Sequence, residues 1–149
     1  MKTKIHAIAG ALALLMICLF WTSTILSEIF GSTDQIVLVK TTILQGMAIL
    51  IPAMAITGAS GFSLGGKWKT PLINNKKRRM KIAAGNGILI LVPSAFFLAM
   101  RAEVGNFDTT FVVVQAIELL AGATNITLLG LNMRDGLSMR NRKASKVKS

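Results

Sequence analysis

Hydrophobic positions form four long stretches along the chain, and short polar segments separate them. The stretches cover residues 5–27, 36–58, 82–100 and 107–131. A helix needs about 20 apolar residues to cross a hydrocarbon core about 30 Å thick, so each stretch has roughly the required length. The alternation of apolar and polar residues that marks the strands of a membrane barrel is missing. The pattern predicts an all-α integral membrane protein, a four-helix bundle with short loops over residues 1–133.

Polar residues within the fourth stretch share one face of the predicted helix. Their spacing is 3-4-3-4-3, which places them in one line: Gln115, Glu118, Gly122, Asn125, Leu129 and Asn132. A charged group at the centre of a bilayer costs about 2.5–3.5 kcal/mol on insertion scales, so Glu118 is expected to face protein. We therefore predict that this face packs against other helices as a buried polar stripe. Glu118 itself could be a proton carrier, a cation ligand or a structural acid.

Lys40, Gln45 and Asn86 are further polar residues within the apolar stretches. Lys40 lies about one turn into the second stretch, where its long side chain could reach inward to Glu118 or extend outward to the headgroups. Asn86 and Asn125 are expected to form hydrogen bonds between helices. Pro52 and Pro93 lie inside their stretches, where each removes a backbone donor and favours a kink.

Composition and charge add a topology to this picture. The chain has 149 residues, of which 52% are hydrophobic and 15% charged, too little charge to cover the surface of a soluble domain. All of its 17 basic residues except Lys40 and Arg101 lie in three segments. These are the N-terminus (Lys2, Lys4), the second loop (Lys67, Lys69, Lys76, Lys77, Arg78, Arg79, Lys81) and the tail (Arg134, Arg140, Arg142, Lys143, Lys146, Lys148). The positive-inside rule then places both termini in the cytoplasm.

The basic run Lys76, Lys77, Arg78 and Arg79 is expected to face anionic lipid headgroups, since basic residues near a membrane surface are attracted to them. A formal net charge of +11 could also suggest nucleic acid, but no aromatic platform accompanies the run, and we expect no nucleic-acid partner. Arg134-Asp135-Gly136 is typical of a helix stop. The basic tail over residues 134–149 is expected to be disordered.

His6 and Lys81 are candidate haem ligands. His6 is the single histidine and begins the first stretch, while Lys81 precedes the third. The predicted topology places both at the same membrane side, where they could hold a porphyrin between two helices. The simpler interpretation is that His6 is solvated at the interface and that Lys81 extends to the headgroups.

The chain also resembles a family. Lys4-Ile5-His6, the segment Ile51-Pro52-Ala53-Met54-Ala55-Ile56-Thr57-Gly58 and Lys81 are similar to short motifs of small bacterial four-helix proteins. These are the HemJ-type protoporphyrinogen oxidases and the copper-resistance D-type membrane domains. The resemblance implies a location in a bacterial inner membrane, haem b as cofactor, and His6 and Lys81 as its iron ligands. The chain departs from the family at Gly10-Ala11-Leu12, where the family has Trp-Gly after the histidine.

Three hypotheses of function follow. No phosphate-binding loop, Cys-x-x-Cys pair or nucleophile elbow is present, and we predict no catalytic residue and no metal site. The first hypothesis is a non-catalytic accessory protein that binds membrane lipids and assembles with a second copy or a membrane complex. The alternative is a b-type haem protein that supports redox or porphyrin chemistry through His6 and Lys81; as an enzyme it would be a haem-dependent membrane oxidoreductase. A second alternative is a proton- or ion-coupled transport element built on Glu118, which a chain of this size would form only as an oligomer.

Overall fold

The computed structural model describes the backbone of residues 2–65 and 70–147, and the side chains of residues 3–64 and 70–139. Lys67, Lys69 and Lys148, which contributed to the topology prediction, lie outside the described residues, as do the side chains of Lys2 and of the tail from Arg140 onward. The helices are α1 (Lys2–Phe30), α2 (Thr33–Gly65), α3 (Pro71–Asn86), α4 (Val92–Glu103) and α5 (Thr109–Val147). The described residues contain no strand, so the prediction of an all-helical chain is confirmed.

A π-helical turn, Gly87–Leu91, joins α3 and α4 into one rod. The molecule therefore has four rods, and each is long and apolar enough to cross a membrane. The N–H of Val92 bonds to the carbonyl of Gly87, five residues earlier, instead of four. Pro93 follows directly and has no N–H to give to the carbonyl of Leu89. The predicted disturbance at Pro93 thus takes the form of a wider helical turn.

The four rods run in alternating directions and close into a ring. α1 packs against α2 and α5, and the α3–α4 rod completes the ring by contacting both α2 and α5. His6 near the start of α1 meets Ser60 near the end of α2, and Lys76 near the start of α3 meets Asn132 far along α5. We call this the basic end of the bundle. The opposite end carries the 31–32 and 104–108 connections and the ion pair between Arg101 and Asp108.

Small and medium-sized apolar residues fill the interior, while large ones cover the outside. Ala13, Ile17, Leu50, Ala53, Ala83 and Leu129 form the largest buried cluster. On the outer surface, Ile8, Leu89 and Leu120 are 69%, 76% and 72% exposed. Membrane helices pack closely through small residues and turn their large apolar side chains to lipid, so this distribution is typical of a membrane bundle.

Helix extends further than the sequence predicts at the basic end. The basic run from Lys76 to Lys81, predicted as loop, lies within α3. Thr70 caps this helix by accepting a hydrogen bond from the Ile73 N–H, and Pro71 occupies the first turn. Both residue types favour a helix start, which explains the early beginning of α3.

The fourth rod also continues past the helix stop predicted at Arg134-Asp135-Gly136. α5 is helical to Val147, whereas composition suggested a disordered tail over residues 134–149. Arg79 of α3 donates to the Asp135 carboxylate at 2.7 Å, and Asn132 donates to the Lys76 carbonyl at 3.2 Å. These contacts tie this part of α5 to α3, and tertiary packing outweighs the local preference of glycine to end a helix.

Candidate functional site

The polar stripe on α5 faces the interior of the bundle. Gln115, Glu118, Gly122, Asn125 and Leu129 are buried, and Asn132 is half-buried. Its polar members each bond to another residue, and together with the neighbouring Leu119 carbonyl they connect α5 to all three other rods. The stripe is thus the common contact surface of the bundle.

Lys40 of α2 and Glu118 of α5 form an ion pair in the interior. The Lys40 Nζ lies 3.1 Å from the Glu118 Oε2, and the two side chains are only 1% and 11% exposed. Of the two directions open to the Lys40 side chain, the structure shows the inward one. Gln115, one turn before Glu118, donates to the same Oε2 at 3.2 Å. Two donors on one carboxylate oxygen fix its position, as expected where charge is removed from water.

Such a pair is costly to break. Desolvation of two charges offsets much of their mutual attraction, so an intact buried pair adds little net stability. Removal of one partner leaves the other charge uncompensated and typically costs about 3–5 kcal/mol. Lys40 and Glu118 therefore hold α2 and α5 together, and removal of either side chain is expected to destabilise the bundle.

A small cavity adjoins the Glu118 side of this pair. It has a volume of about 40 Å³, and Thr24, Trp21, Met47 and Gly122 are among its lining residues. A single water needs about 10–15 Å³ measured in this way, so the cavity has room for two or three. Glu118 and Thr24 supply polar groups to it, whereas most of the lining is apolar. The cavity is far too small for an organic substrate.

Trp21 of α1 occupies a place that the sequence did not reveal. Its indole Nε1 donates to the Leu119 carbonyl of α5 at 2.9 Å. Gly122 permits this approach, because a Cβ atom at that position would lie 2.9 Å from the Trp21 Cδ1. The glycine within the polar stripe was the one available signal that a bulky side chain approaches there.

Asn86 and Asn125 form a second polar contact, between α3 and α5. The Asn86 amide donates to the Asn125 Oδ1 and to the Ala121 carbonyl, both at 2.8 Å. Asn125, which is fully buried, donates in turn to the Ala83 carbonyl at 3.2 Å. The contact lies directly before the π-helical turn, where it secures α3 against α5. Gln45, by contrast, is exposed on the outer face of α2.

His6 and Lys81, the candidate haem ligands, have different neighbours in the structure. The His6 Nδ1 lies 3.2 Å from the Thr57 carbonyl and 3.0 Å from the Ser60 Oγ, both on α2. Met80 and the His6 Cε1 both border Gly61, so Met80 is the α3 residue placed beside the histidine. Lys81 is exposed and lines a groove in which His6 has no part.

The basic run of α3 divides between two directions. Arg79 pairs with Asp135, and Lys76 is half-buried against α5, where its Nζ would be 3.3 Å from a Cβ at Gly136. Lys77 and Arg78 instead line the groove that contains Lys81. Only part of the run predicted to face lipid is therefore directed away from the bundle.

Comparisons of the chain with protein-family models, with curated proteins and with solved structures gave no match. The functional argument therefore depends on the residues and their geometry. The interior polar residues can hold the four helices together, and Glu118 can exchange a proton with its neighbours. The basic end presents cations.

Proposed function

We propose that this chain is a small multi-pass protein of a bacterial inner membrane and serves as a non-catalytic accessory bundle. Four rods of sufficient length and apolarity support insertion, and so do the large apolar side chains on their outer faces. Most polar side chains within the rods are turned inward, where other helices meet them. In water this distribution would be unfavourable, whereas in lipid it is the stable one.

In this proposal both termini lie in the cytoplasm. The basic end of the bundle carries Lys4, Lys77, Arg78, Lys81 and Arg134, and the opposite end carries Asp34, Glu103 and Asp108. The excess of Lys and Arg at one end orients membrane proteins with that end inside. The starts of α1 and α3 and the far part of α5 share the basic end, so one orientation satisfies every rod.

The observation that carries the accessory role is the use made of the interior polar groups. Lys40, Asn86 and Trp21, one from each of the other three rods, all bond to α5. These three groups, which a transporter or enzyme would keep available for a ligand, are here engaged in helix–helix contacts. Such a bundle offers its outer surfaces, and we propose that a second copy or a larger membrane complex packs against them.

The experiment compares stability with transport activity. Purified chain is reconstituted in liposomes, and proton and cation fluxes are measured for the unaltered chain and for Glu118→Gln, with Glu103→Gln as the matched control on an exposed acid. The proposal expects fluxes at the level of empty liposomes for all three, with a loss of thermal stability in Glu118→Gln alone. A flux that depends on Glu118 would overturn the accessory role.

One observation favours a second candidate function, a proton-coupled element. The cavity beside Glu118 has room for water, and Thr24 is also among its lining residues. A hydrated carboxylate paired with a lysine can exchange a proton, as in many membrane pumps. Under this function Glu118→Gln would abolish proton flux while leaving flux in Glu103→Gln intact, so the liposome experiment separates the two candidates.

A further inference from the structure

The basic end of the bundle contains a groove between α2 and α3 that combines cations with an aromatic ring. Its volume is about 480 Å³, and its lining is formed by Phe62, Asn74, Lys77, Arg78 and Lys81. The four α3 residues follow an i, i+3, i+4, i+7 spacing and so share one helix face. Phe62, 39% exposed, closes the groove from the α2 side.

The three cations of this groove are not neutralised by the bundle. Among the described residues, ion pairs at the basic end involve Asp135 with Arg79 and Arg134, and none involves Lys77, Arg78 or Lys81. Three positive charges within two helical turns repel one another unless an anion lies between them. A phosphate group, with several acceptor oxygens and a negative charge, is the ligand that such a set binds best.

Two glycines lie one turn beyond the groove, one on each helix, and we call the open surface beside them the furrow. Gly58 lies one turn before Phe62 on the same face of α2, and Gly85 lies one turn after Lys81 on the same face of α3. A Cβ atom at either glycine would meet nothing within 4 Å, so both helices are open there. Ile51 and Ile82 are each 47% exposed nearby along the two helices. A ligand that suits the whole feature has an anionic head and a hydrocarbon body.

We propose that this groove and furrow form a binding site for a single anionic phospholipid, with the phosphate between Lys77, Arg78 and Lys81 and an acyl chain over Gly58 and Gly85. The inference rests on the proposed membrane insertion, and it specifies which part of the basic end contacts lipid. Lys76 and Arg79, which face α5, take no part. Lys81 is accordingly a headgroup residue.

Native mass spectrometry of the full chain in detergent, delipidated and then titrated with phosphatidylglycerol, measures the site directly. Lys77→Ala/Lys81→Ala should weaken phosphatidylglycerol binding about 30-fold, because each basic residue near an anionic headgroup contributes about fivefold. The matched control Lys4→Ala/Arg134→Ala removes the same charge from exposed positions at the same end and should leave affinity within about threefold. An equal loss in the control would overturn the site in favour of diffuse attraction.

Two further arms identify the ligand. Gly58→Leu/Gly85→Leu fills the furrow without changing charge, and it should weaken phosphatidylglycerol binding without lowering the melting temperature, since a Cβ at either position meets nothing and leucine favours a helix over glycine. The second experiment is a competition: inorganic phosphate in large excess should not displace the bound phosphatidylglycerol. Full displacement by phosphate would reject a phospholipid as the occupant and indicate a free-phosphate site. Undiminished lipid binding by the glycine variant would overturn the placement of the acyl chain over Gly58 and Gly85. Phosphatidylcholine bound as tightly as phosphatidylglycerol would also refute the proposal. None of these outcomes bears on the stability and flux tests of the accessory role.

Discussion

Lys40 and Glu118 are 78 positions apart in the chain, and their charged atoms lie 3.1 Å apart in the centre of the bundle. A lysine one or two turns into an apolar helix usually extends to the headgroups. Here the side chain turns inward and is almost completely buried, because the Glu118 carboxylate provides the compensating charge. The pair ties α5 to α2, the rod across the ring, whereas α1 and the α3–α4 rod pack directly against α5.

Removal of either charge is expected to destabilise the bundle strongly. Glu118→Gln or Lys40→Met leaves the partner uncompensated in the interior, and each should lower the free energy of unfolding by about 3–5 kcal/mol. Gln45→Ala, on the exposed face of the same α2 helix, is the control and should change it by less than about 0.5 kcal/mol. Unfolding in mild detergent, followed by circular dichroism, measures all three. Comparable effects of Gln45→Ala and Lys40→Met would show that the pair has no special role.

The contact between Asn86 and Asn125 is expected to contribute less. Asn125→Ala removes the acceptor of Asn86 and the donor to Ala83, and hydrogen bonds between membrane helices contribute about 0.6 kcal/mol on average. We expect a loss of about 1–2 kcal/mol. Thr124→Ala is its neighbour-position control, because the Thr124 hydroxyl is exposed and bonds only within its own helix among the described residues. A larger effect for Thr124→Ala in the same unfolding assay would refute this assignment.

Gly122 is expected to resist enlargement. A Cβ there would lie 2.9 Å from the Trp21 ring, so Gly122→Val should displace the indole from the Leu119 carbonyl and cost about 1–3 kcal/mol. Gly130→Val is the matched change, since nothing lies within 4 Å of its Cβ position. Thermal unfolding compares the two variants. Equal melting temperatures would mean that Trp21 is not held against α5.

The proposed orientation can be tested with single cysteines in a Cys18→Ser background. Thr3→Cys and Ser138→Cys report on the basic end, and Ser32→Cys reports on the other end; all three positions are exposed. In intact cells, a membrane-impermeant thiol reagent should label only Ser32→Cys from outside. Disrupted cells should allow labelling of all three. Labelling of Thr3→Cys or Ser138→Cys in intact cells would contradict the cytoplasmic placement of the termini.

The sequence was most informative where the spacing of apolar or polar residues is regular along a whole helix. The four apolar stretches gave the number of rods, and the spacing from Gln115 to Asn132 identified the face of α5 that meets the other helices. The sequence identified Lys40 as a possible partner of Glu118, but it left open whether the flexible lysine side chain points to the interior or to the surface. Its inward direction depends on the packed bundle.

Features that depend on several helices at once could not be read from the sequence. The position of Trp21 requires α1 to lie next to α5, and the continuation of α5 past Gly136 depends on Arg79 reaching Asp135 across the bundle. Local signals were present for other features. Thr70 and Pro71 favour a helix start, and their combination explains why the basic run is helical and presents Lys77, Arg78 and Lys81 on one side.

A double-mutant cycle between Lys40 and Glu118 tests the central claim most directly. The free energy of unfolding is measured for the unaltered chain, for Lys40→Met, for Glu118→Gln and for the double variant under the same conditions. If the two charges lock α2 to α5, the double variant loses less stability than the sum of the single ones, with a coupling of about 2 kcal/mol or more. Losses that add to within about 0.5 kcal/mol would show that the pair does not hold the bundle together.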